Sequence, residues 1–252
     1  MKKQLSLTLA ATMAFTGCSI AATVNSSGAP HAITSAINPG IQVKDSLDAA
    51  NIHKAIVDLV ADALTPKDMD QLVHRFTNSD QKRIENSSTY KQNDGKLLDD
   101  CVGRINNDWK KAYGHDFSIK ETSVFKPDFY SIEQSTAGAD KELAQDVTAN
   151  SSMVHHALAH DQKIAMVTLK ATHNMAELKV PLIYESGNWR INVPNNEDAS
   201  ALRQNLVDHL SAVSDASAHW PKDEDVAYRM VTRHVLLAAL NQPVTHSGHA
   251  GK

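Results

Sequence analysis

The sequence predicts an α+β fold in which N-terminal helices pack on a curved antiparallel sheet and C-terminal helices follow. Three observations carry this expectation. The first third of the chain spaces its apolar residues as helices do, the middle third holds β-rich runs joined by a hairpin turn, and the final third returns to helical spacing.

Asp45 or Ser46 can cap a first helix, because Leu47, Ile52, Ile56, Leu59, Val60 and Ala63 then fall on one stripe. Thr65 as cap and Pro66 as first residue open a second helix with the stripe Met69, Leu72, Val73 and Phe76. A new cap at Ser79 begins a short helix through Ile84, and a polar loop spans 86–96. Leu98, Cys101, Val102, Ile105, Trp109 and Ala112 form the stripe of a helix over 97–113 that Gly114 ends. The runs 117–125 and 130–133 are strand candidates. Stronger ones are 163–171, 177–185 and 188–193, the last two joined by Ser186-Gly187, a hairpin signal. Leu178, Val180, Leu182 and Tyr184 share one strand face, as do Trp189, Ile191 and Val193, and both faces should meet helices. Pro181 calls for a bulge or an edge. Two helices close the pattern, over 199–213 with Leu202, Leu206, Leu210 and Val213, and over 223–240 with Val226, Met230, Val231, Leu237 and Leu240.

The 252 residues carry 25 Lys+Arg against 29 Asp+Glu, a net charge of −4, with 42% hydrophobic residues. That mild acidity, without a basic face, argues against nucleic acid as a partner. Residues 1–18 read as an export signal: basic Lys2 and Lys3, an apolar run over 5–15, then Thr16-Gly17-Cys18. The run is about half the roughly 20 residues a membrane-spanning helix needs. Residues 19–44 form a flexible tether, with an r.m.s. span of roughly 25–30 Å. Residues 45–242 make one α+β domain, helices and sheet over 45–195 and C-terminal helices over 196–242, and 243–252 are a polar tail.

Phe15-Thr16-Gly17-Cys18 resembles the lipobox of bacterial lipoproteins, with Phe15 where the family usually has Leu. The resemblance implies lipidation of Cys18, a membrane partner through that anchor and, with Ser19 next, release from the inner membrane. The protein is then periplasmic or anchored at the outer membrane. Cleavage after Ala21 would instead secrete a soluble protein. Either event leaves Cys101 without a partner in its own chain, and its place on the helical stripe predicts burial.

The order of helices and strands resembles the NTF2-like (SnoaL-like) superfamily over residues 46–195, together with the strand pair ending Glu185-Ser186-Gly187-Asn188-Trp189-Arg190-Ile191. A cystatin-like sheet is the other architecture of this kind. The NTF2-like resemblance implies a conical pocket, whose open end would lie near Trp109, Tyr113, His115 and Tyr130.

No phosphate loop, nucleophile elbow, metalloprotease motif or paired C-x-x-C is present. No catalytic residue and no cofactor is therefore assigned. Among the 13 histidines, those at 155, 156 and 160 cluster. On a helix His156 and His160 would share a face and could hold Zn²⁺ with a further ligand such as His173, whereas on a strand they stand roughly 13 Å apart. The flanking residues favour a strand leading into a turn at 160–162, so no metal site is expected. The expected function is a non-catalytic module binding a small molecule or an envelope protein, compatible with a dimer. The alternative is a small-molecule enzyme with a His/Asp pair in the pocket.

Overall fold

The structure, a computed structural model, describes residues 47–65, 69–90, 95–151, 157–172 and 175–244. The export signal with Cys18, the tether, His155, His156, His173 and most of the polar tail lie outside the described residues. The elements are α1 (Leu47–Ala63), α2 (Met69–Val73), α3 (Asn78–Glu85), α4 (Gly95–Tyr113), α5 (Glu121–Val124), β1 (Tyr130–Thr136), α6 (Lys141–Thr148), β2 (Lys163–Leu169), β3 (Leu178–Glu185), β4 (Asn188–Ile191), α7 (Ala199–Asp215) and α8 (Glu224–Ala239). The fold is thus α+β, with helices before, within and after a four-stranded antiparallel sheet of order β1-β2-β3-β4.

Alternation along the strands sorts side chains to two faces. Ala165, Val167 and Leu169 of β2 join Leu178, Val180 and Leu182 of β3 in the main core, which α1, α4, α7 and α8 complete. Ile164, Met166 and Ile183 point the other way and meet Leu143, Ala144 and Val147 of α6. Cover on both faces is why β2 reads as a nearly unbroken apolar run. Ser186 and Gly187 both take positive φ, 51° and 84°, the handedness a two-residue hairpin turn needs.

Two sequence expectations are corrected locally and a third is narrowed. The run 117–125 is no strand: Ser123, Val124 and Phe125 are all buried, which one strand face cannot achieve, and a helical turn, α5, places them. Thr77, not Ser79, caps α3, its hydroxyl accepting from the Asp80 N–H. The Thr65 hydroxyl donates to the Ala61 carbonyl at the end of α1, and the start expected for the next helix at Pro66 lies outside the described residues. Pro181 makes no bulge, since its register against Met166 is regular; it marks an edge. α6 itself has a clear local signal that periodicity over longer windows hides: Asp140 caps it, its carboxylate accepting from the Leu143 N–H at 2.9 Å.

Asp80, fully buried, ties α3 to the end of β4. It accepts from the Thr77 hydroxyl at 2.7 Å, the Val193 N–H at 3.0 Å and Arg83 at 2.9 Å. Cys101 is buried on the α4 stripe, its sulfur 3.2 Å from the Ser211 hydroxyl and 3.6 Å from the Arg104 guanidinium. No helix among the described residues is long and apolar enough to cross a membrane.

Candidate functional site

β4 has four residues and pairs with Leu182–Glu185, so the first half of β3 has a strand, β2, on one side only. Pro181 closes the ladder: its carbonyl accepts from the Asn192 N–H at 2.9 Å, and it has no N–H to return. Beyond it the chain turns off, Val193 N–H going to Asp80 and the Pro194 carbonyl accepting from Arg83. The space left beside the strand is a cavity of about 770 Å³ between the end of α6, the open half of β3, and the facing sides of α7 and α8. Met166, Leu178, Val193, Met230, Leu237 and Leu240 give it an apolar wall.

α8 supplies the polar groups. Asp223 caps it and Glu224 and Asp225 fill its first turn, both suited to a helix N-terminus. The helix is buried on nearly every side, so its polar residues are forced into the interior. Arg233 is 5% exposed. It donates from Nη1 to the Ala176 carbonyl and from Nη2 to the carbonyls of Leu169 and Lys170 at 3.1 and 2.9 Å. No carboxylate among the described residues forms an ion pair with it. Burial pushes its pKa down and the charge of Glu177 pushes it back up, but a guanidinium keeps its proton.

His209 and His234 meet beside Arg233. His209 Nε2 lies 2.8 Å from the Gln242 carbonyl, which can only accept, so this nitrogen carries the proton. Its Nδ1, 3.1 Å from His234 Nδ1, therefore accepts from that ring. Burial lowers the pKa of both rings, and that of His234 falls to about 4, helped by the charges of His209 and Arg233. Both are neutral at pH 7, and both line the cavity. Asn192, 1% exposed, also lines the cavity; its Nδ2 donates to the Val147 carbonyl while its Oδ1 has no partner. Glu177, Lys179 and Asp146 are exposed at the rim.

The residues singled out from the sequence lie elsewhere. Trp109 is fully buried among Tyr113, Phe117, Trp220 and Tyr228. The Tyr113 hydroxyl donates to the Pro221 carbonyl at 2.6 Å. His115 is exposed and pairs with Glu224 at 3.2 Å, and with the Asp116 carbonyl and Glu224 its pKa is raised. Tyr130 stands apart, edge-on to His53 and Phe125. None of the four lines the cavity. The exposed His160 ring lies over Gly138. Among the described residues no group of three or more His, Cys, Asp or Glu side chains could hold a metal ion.

Sequence reasoning missed Arg233, His234 and His209. A signal was there: Arg229, Arg233 and His234 interrupt an otherwise apolar helical run, and a charged residue on the buried side of such a run needs an internal partner.

A second cavity of about 680 Å³ lies between α1, the segment around α2 and the β3–β4 hairpin. Two of its cations are paired, Lys54 and Arg75 with Asp58 at 2.8 and 2.9 Å and Arg75 with Asp62 at 2.6 Å, while Arg190 donates to the main-chain carbonyls of His74 and Phe76. The cavity beside β3 joins an apolar wall to a more deeply buried guanidinium, and is the stronger site. Comparison with protein-family models, curated proteins and solved structures finds no match to the chain.

Proposed function

We propose that the protein is an exported lipoprotein, anchored through Cys18, whose domain is a non-catalytic module that binds a small amphipathic molecule in the cavity beside β3. The observation that carries the binding role is the apolar wall around a buried polar cluster, in a volume typical of small-molecule sites. A binding role is favoured over an enzyme with a His/Asp pair by the partner of His234, which is His209 and not a carboxylate.

On this reading the domain belongs to the NTF2-like (SnoaL-like) pattern. Helices ahead of an antiparallel meander support it, as does the Trp189-Arg190-Ile191 strand at the meander's end. The sheet face toward α1 and α4 is packed with side chains, so the ligand site is moved from the cone to the strand edge.

The test uses N-phenyl-1-naphthylamine, a neutral dye that fluoresces in apolar surroundings, and a Leu237→Trp variant that fills the cavity. The full chain should enhance the dye's fluorescence and the variant, folded by circular dichroism, should lose most of that gain. Equal fluorescence from both proteins, or none from the wild type, would refute the reading.

A further inference from the structure

We infer that the ligand of this cavity is an amphipathic monoanion, a carboxylate on an apolar body, seated with its carboxylate against Arg233. The inference rests on the ligand-binding reading above and adds the chemical class.

Arg233 is a cation at 5% exposure whose three hydrogen bonds all go to main-chain carbonyls. Those dipoles solvate the charge without cancelling it. A guanidinium has five N–H groups in a planar fork, so two remain, enough for a carboxylate. In a site walled by Met166, Met230, Leu237 and Leu240 an opposite charge is worth far more than in water.

The neighbouring groups set the ligand's charge at one. His209 and His234 hold each other through their Nδ1 atoms, one as donor and one as acceptor, and add no second cation. Glu177, Asp146 and Lys179 are exposed at the rim, where water and salt screen them. A neutral alcohol would leave the guanidinium unbalanced, an amine would be repelled, and a phosphate dianion would bring one charge too many.

The experiment displaces bound N-phenyl-1-naphthylamine from the full chain with decanoate, 1-decanol or decylamine at pH 7. Decanoate should compete at a concentration at least about tenfold below decanol, with decylamine weakest. Arg233→Gln should erase the preference for decanoate while keeping dye binding, and Lys179→Ala should leave it intact. Decanol competing as well as decanoate in the wild type would overturn the inference while the cavity reading stands. So would loss of the preference in Lys179→Ala. Should Arg233→Gln fail to fold, the wild-type series and Lys179→Ala decide alone. Failure of the dye to bind at all would strike the cavity reading itself.

Discussion

The Glu197 carboxyl is fully buried and, among the described residues, meets the Asn205 amide alone, 3.5 Å from each oxygen. Burial pushes its pKa from 4.5 up to about 8, against the pull of Asn205 and Arg83. Between those values the folded state holds a proton that the unfolded state has released, so stability falls as pH rises through the window. His234 acts with the opposite sign: its pKa drops from 6.5 to about 4, so there the unfolded state holds the extra proton and stability rises with pH. The two slopes offset each other up to pH 6.5, and above it Glu197 dominates, with a smaller contribution of the same sign from the raised pKa of exposed His115. Urea midpoints should therefore fall from pH 6.5 to 8 in the wild type, by up to roughly 2 kcal/mol of stability. In Glu197→Gln they should fall much less over the same interval.

At the scale of elements, one side chain joins two of them. Removing Asp80 by Ala would strip α3 of the anchor for Thr77, leave the Val193 N–H without its acceptor and free the Arg83 charge. The expected loss is about 3 kcal/mol in urea denaturation. Asp80→Asn, which keeps an acceptor, should lose less. Elements with long stripes or a hairpin signal were legible in the sequence: α1, α4, α7, α8 and the β3–β4 hairpin start and stop within a few residues of where their patterns place them. Two short elements were not. α5 and α6 span four and eight residues, too few turns for a period to stand out from the alternation of a strand. The cavity was illegible for another reason. It is made by β4 stopping early and by residues up to about a hundred positions apart meeting there, and no local pattern encodes such a meeting. Tyr113 and Trp109 were visible as aromatics, but their helical spacing meant packing, and the core is where they sit.

For the whole molecule, the prediction concerns its address. If Cys18 carries the anchor, Cys18→Ala should move the protein from the membrane fraction to the soluble one after cell lysis. A variant as firmly membrane-bound as the wild type would refute the anchor. No helix among the described residues of the domain is long and apolar enough to cross a bilayer.

The short β4 also bears on how this protein avoids sticking to itself. An unpaired strand edge is a template on which another chain can add a strand and begin an aggregate. Here that edge is interrupted. Pro181 lacks the N–H a visiting strand would need, and the exposed Lys179 puts a charge on the open stretch. The same residues that stop the sheet from growing inward toward β4 stop it from growing outward onto a neighbour, so the molecule can keep an open recess beside its sheet without inviting polymerisation.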